Sequence, residues 1–113
     1  MSCHQHVYVG AAVKIDKAPE NAREIIENMP GERFFWPYDG DEQRLPYLLP
    51  NEECVCGKTF ARDLQSPRPI EINTALISEA NDLLYDRFRE DIFYLTDQGF
   101  RLTVVYVAFD YWM

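Results

Sequence analysis

"INTALISEANDLLYDRFREDIFYLTDQG", residues 72–99, is the stretch whose reading decides the fold. Its apolar residues Leu76, Ala80, Leu84, Phe88, Ile92 and Leu95 recur at steps of three or four, which places them on one face of a helix, and Gly99 supplies a stop. The segments on either side read with a different period. In "RLTVVYVAFDYWM", residues 101–113, Thr103, Val105, Val107, Phe109 and Tyr111 fall on one side. In "HVYVGAAVKI", residues 6–15, Val7, Val9, Ala11, Val13 and Ile15 alternate with His6, Tyr8, Gly10, Ala12 and Lys14. A period of two marks half-buried strands. In the last strand this reading turns Phe109 and Tyr111 inward and Asp110 and Trp112 outward.

Between the first strand and the long helix, "PENAREIIENM" (residues 19–29) reads as a short helix with Pro19 at its first turn and acidic residues early, ended by Pro30 and Gly31. Residues 31–70, with Pro30 just before them, form an irregular segment in which only "LPYLLPN" (45–51) and "KTFARDL" (58–64) look extended. The expected architecture is α+β in a single domain spanning residues 1–113. A small antiparallel sheet includes the N- and C-terminal strands, packed by one long helix in the C-terminal half and one short helix, around a long irregular middle segment.

Composition excludes several classes of function. Nineteen acidic against eleven basic residues give a formal charge of −8, a field that repels phosphate backbones and anionic membranes, so direct nucleic-acid or membrane binding is not expected. The same field suits a basic protein partner, including one whose ordinary ligand is nucleic acid. The first fifteen residues lack a basic start and an apolar run, and no apolar stretch is long enough to span a bilayer, so a cytoplasmic location is expected. Three cysteines, an odd number, fit a reducing compartment.

Catalytic signatures are missing. There is no G-x-S-x-G, no phosphate-binding glycine loop and no H-E-x-x-H, so no enzyme activity and no catalytic residue is expected. "DGDEQ", residues 39–43, begins like a calcium loop, but the positions that need Gly and Glu hold Arg44 and Pro50. His4 with His6, and Cys54 with Cys56, each have the one-residue spacing that points two side chains to the same side of an extended segment. If the two segments are neighbours, these four could surround a zinc ion. Zinc sites usually separate paired cysteines by two to four residues, so no cofactor is the first reading and zinc the alternative.

Two stretches stand out as candidate binding surfaces. Glu79, Asp82, Asp86 and Glu90 follow at steps of three, four and four, forming an acidic stripe opposite Leu84 and Phe88. Like charges at i and i+4 cost a helix a few tenths of a kcal/mol, roughly, so such a stripe is suited to imitate a row of phosphates for a basic groove. "FFWPYDGDE", residues 34–42, combines Phe34, Phe35, Trp36 and Tyr38 with Asp39 and Asp41 in a segment broken by Pro37 and Gly40. Aromatic rings on such a loop can anchor a protein interface. A homodimer through the last strand is expected if that strand lies at a sheet edge.

"CHQHVYVGAAVKI" followed by "LPYLLPN" resembles short accessory proteins of tailed phages, which begin with a His-x-Tyr-Val-Gly strand and in some cases carry a cysteine-rich ribbon further on; here that ribbon would be reduced to Cys54 and Cys56. The resemblance covers the first strand and a few residues near Pro50 and carries over no binding residue. What it implies is a protein acting in a host cell's cytoplasm, binding and inhibiting a host protein such as a component of restriction or CRISPR defence.

Overall fold

The computed structural model describes residues 5–30, 33–39, 43–51, 56–62, 69 and 71–112. In chain order these form β1 (Gln5–Lys17), α1 (Ala22–Glu27), β2 (Phe34–Phe35), β3 (Tyr38–Asp39), β4 (Gln43–Arg44), β5 (Tyr47–Pro50), β6 (Gly57–Arg62), α2 (Thr74–Asp97) and β7 (Arg101–Trp112). The α+β class, the antiparallel sheet that joins the two terminal strands, and the long helix in the C-terminal half are all as the sequence predicts.

β1 is the axis of the sheet. Its residues pair antiparallel with β7 along nearly their whole length, from Gln5 opposite Trp112 to Lys17 opposite Arg101, with a bulge at Asp16. Val13 and Lys14 pair with β5, and Gln5 to Gly10 pair with β6, while the same residues also face β7. β5 and β6 therefore share one edge of β1 and β7 occupies the other. β2 extends the sheet beyond β5, and β3 with β4 makes a separate hairpin. The irregular middle segment thus contributes five short strands, of which the sequence indicated β5 and β6. The two-residue strands are held by pairing partners that no local pattern announces.

α2 begins where Asn73 caps it, its Oδ1 accepting from the Leu76 N–H at 2.8 Å. It ends in a Schellman turn. Gly99 adopts φ 103°, its N–H donates to the Thr96 carbonyl, and the Phe100 N–H donates to the Leu95 carbonyl. Leu95 and Phe100 are both buried, which seals the turn with apolar contact and launches β7 back across the sheet. α1 is shorter than the 19–29 expected. Asn21 makes no side-chain cap, and the helix closes at Asn28, ahead of Pro30.

The main core lies between α2 and one face of the sheet: Ala80, Leu84, Phe88 and Leu95 pack on Ala11, Val13, Ile15 and Leu48, with Ala22 and Ile25 of α1 closing one end. The β7 side chains that join this core are Leu102, Val104 and Tyr106, which corrects the inward face assigned to the last strand. Phe109 instead lies with Val105 and Val107 on the other face of the sheet, against Tyr8, Ala12 and Leu49. The side chains of Tyr111 and Trp112 lie outside the described residues. β1 is accordingly buried on both faces, not one. Tyr8 and Ala12 are as inaccessible as Val9 and Val13, because both neighbouring strands flank them with apolar residues.

One contact positions β6. A Cβ on Gly10 would lie 2.6 Å from the Cys56 carbonyl oxygen and 2.8 Å from Gly57 Cα, and one on Gly57 would lie 2.3 Å from the Val9 carbonyl oxygen. Only two glycines let the backbones approach this closely. Tyr8 fills the remaining space, its hydroxyl donating to the Ala11 carbonyl at 2.8 Å; burial pushes its pKa up.

Candidate interaction surface

The buried row of α2 fixes where its other side chains go. With Leu84 and Phe88 against the sheet, Glu79, Asp82, Asp86 and Glu90 project away from it, and all four are exposed. The two ion pairs formed among the described residues, Arg23–Glu27 and Arg33–Asp91, involve none of them. The four carboxylates run over twelve residues, about 17 Å of helix axis. Phe93, 62% exposed, sits three residues beyond Glu90 on the same outward side. Its signal was present in the sequence: it is the large apolar residue that falls out of step with the row from Leu84 through Phe88 to Leu95.

The aromatic segment is divided by its packing. Phe34 stacks on Phe88 with ring centroids 4.4 Å apart, so it belongs to the core side of β2. Trp36 is half-buried and donates its indole N–H to the Leu45 carbonyl at 2.7 Å, while Arg44 lies over its ring and donates to its carbonyl oxygen. These contacts make Phe34 and Trp36 internal braces of the 34–45 segment. Phe35, alternating to the other side of the strand, is 49% exposed. The side chains of Tyr38 and Asp39, and all of Asp41, lie outside the described residues.

Arg33 ties this segment to α2. Its guanidinium pairs with Asp91 at 3.0 Å, donates to the Arg87 carbonyl and lies 4.6 Å from the centre of the Phe88 ring. Burial pushes the Asp91 pKa up, and Arg33 partly counters this.

His6 and Cys56 do not converge. Cys56 is fully buried among Ala11, Val13 and Leu84 on the helix side of the sheet, and its carbonyl accepts from the Ala11 N–H. His6 alternates to the opposite face, opposite Ala61 and five residues back along β1, about 16 Å away. On opposite faces at this separation, His6 and Cys56 are not placed to share an ion; His4 and Cys54, the other two residues of the zinc reading, lie outside the described residues. Among the described residues no group of three or more His, Cys, Asp or Glu is placed to hold a metal.

A groove of about 300 Å³ runs between α2 and β7, lined by Val13, Tyr85, Ile92, Leu102, Thr103 and Val104. Its lining carries no acid, base or nucleophile beyond the Tyr85 and Thr103 hydroxyls. No helix among the described residues is long and apolar enough to cross a membrane. No family model matches the sequence, and no curated protein or solved structure matches it either.

Proposed function

We propose that this chain is a small non-enzymatic interaction protein that engages a basic, nucleic-acid-handling protein through the outward face of α2 and blocks it, as a phage-type inhibitor of a host defence component would. The observation that carries the reading is the row Glu79, Asp82, Asp86 and Glu90, exposed along a single rigid helix and ending at the exposed Phe93. A linear array of carboxylates offers a groove lined with Lys and Arg the charge pattern of a phosphate backbone, and steers association electrostatically. Phe93 adds an apolar anchor beside the charges, and Phe35 offers a second, separate one.

The test is capture from a bacterial lysate with wild-type protein and with the triple variant Asp82→Lys, Asp86→Lys, Glu90→Lys, followed by mass spectrometry. The wild type is expected to retain a basic nucleic-acid-binding protein that added DNA or RNA competes away and high salt releases. The variant, folded by circular dichroism, is expected to retain none of it. Equal retention by both proteins overturns the proposal.

A further inference from the structure

From Leu102 to Ala108 the backbone of β7 has a side with which no other described strand pairs. The Ala11 N–H donates to the Cys56 carbonyl at 3.0 Å and the Ile15 N–H to the Pro46 carbonyl at 2.9 Å, so the odd residues of β1 aim their backbone groups at the β5 and β6 edge. The even residues of β1 therefore bond to β7, and their partners are Thr103, Val105, Val107, Phe109 and Tyr111. It follows that Leu102, Val104, Tyr106 and Ala108 direct both N–H and C=O away from the sheet, along an edge with which no other described strand pairs.

Natural proteins guard such edges with proline, lysine, bulges or short strands. β7 is twelve residues long, and from Leu102 to Phe109 it contains no charge, proline or glycine. We infer that this edge is the seam of a homodimer, in which two copies of β7 pair antiparallel about a two-fold axis and join their sheets into one.

The occupant is a second copy because the charges around the seam are arranged for one. Arg101 and Lys17 stand opposite each other at one end of β7, where Asp16 accepts from the Thr103 hydroxyl, and Asp110 stands at the other, so antiparallel self-pairing brings the end of each strand with an excess of one cation to the anionic end of its partner. A net charge of −8 would oppose self-association if it surrounded the seam. The described acids of α2 do not. The side of α2 that overlooks β7, set by Tyr85 and Ile92 in the groove, continues at helical spacing through Ser78, Asn81, Arg89 and Thr96, with no carboxylate and one cation. The acidic row lies around the helix from it. A basic partner is thus drawn to the outward face of α2, and the β7 edge is left to a chain with the same apolar strand. The pairing is isologous: hydrogen-bonded pairs form between even residues of the two copies, with the axis beside Tyr106 or Val107 when overlap is longest.

The experiment is sedimentation or light scattering of the full chain as a function of concentration. Wild type is expected at twice the 13.3 kDa chain mass. Ala108→Pro removes an N–H that points off the sheet and leaves every bond to β1 in place, so the mass is expected to halve with the circular dichroism spectrum unchanged. Ala108→Lys, which places a charge on an exposed position of the edge, is expected to do the same and decides the matter if the proline variant fails to fold. Amide exchange at Val104 and Tyr106 is expected to be slow in wild type and fast in either monomeric variant. A wild type that is monomeric at every concentration, or a folded variant that stays dimeric, overturns the inference.

Discussion

Arg33 and Asp91, 58 residues apart in sequence, form a 3.0 Å ion pair with Asp91 only 13% exposed, and through it the irregular middle segment is fastened to the long helix. The same guanidinium covers Phe88, whose ring also stacks on Phe34. One residue therefore supports the helix from outside the sheet. Arg33→Ala leaves a mostly buried carboxylate without its cation and is expected to cost about 2 kcal/mol, measured by urea unfolding.

The pH dependence of that variant has a definite sign. Burial raises the folded-state pKa of Asp91, so the folded protein holds this proton more tightly than the unfolded chain does, and the group's contribution to stability falls as pH rises from the ordinary carboxylate range through the folded value. Removing Arg33 removes the influence that lowers the pKa. The stability gap between wild type and Arg33→Ala is expected to narrow as pH falls and Asp91 protonates, and Asp91→Asn is expected to recover much of the loss at neutral pH. A gap that widens on acidification contradicts this assignment.

Two glycines separate steric need from conformational need. Gly10→Ala drives a methyl into the Cys56 carbonyl and Gly57 Cα, both backbone, and is expected to cost about 3 kcal/mol or more, with β6 displaced. Gly99→Ala meets nothing closer than Pro19 Cβ at 3.8 Å but must hold φ 103°, and is expected to cost about 1 kcal/mol. Thermal melts of the two variants provide the comparison, and equal losses would refute the distinction.

The start of α2 rests on a single side chain. Asn73→Ala removes the acceptor for the Leu76 N–H and is expected to lower stability by about 1 kcal/mol, while Asn73→Asp is expected to preserve it. Chemical denaturation of both variants checks the cap.

Neutralising the acidic row should trade binding for stability. Asp86 is a like-charge neighbour of both Asp82 and Glu90 at a spacing of four. Asp86→Asn is expected to stabilise the helix by a few tenths of a kcal/mol, raising Tm by roughly 2 °C at low salt and by less at high salt, while weakening association with a basic partner. A Tm that falls would place Asp86 in a contact the fold needs.

The amino-acid sequence by itself determined the long helix, the two terminal strands and the acidic face, because each is a periodic pattern whose period is set by local backbone geometry and needs no knowledge of neighbours. The helical row from Ala80 to Leu95 obliges Glu79, Asp82, Asp86 and Glu90 to face outward wherever the helix packs. Tertiary structure decided the rest. Whether Phe109 or Tyr106 turns to the helix depends on which face of β7 the helix covers, and alternation alone carries no sign. Phe34 became a brace and Phe35 an exposed ring because β2 found β5 as its partner, a pairing between segments too short to announce themselves. His6 and Cys56 share a spacing with their neighbours in sequence, yet the register of β1 against β6 put them on opposite faces. The edge position of β7 likewise belongs to topology, since the placement of β5 and β6 on the far side of β1 left the last strand with β1 as its one partner among the described strands.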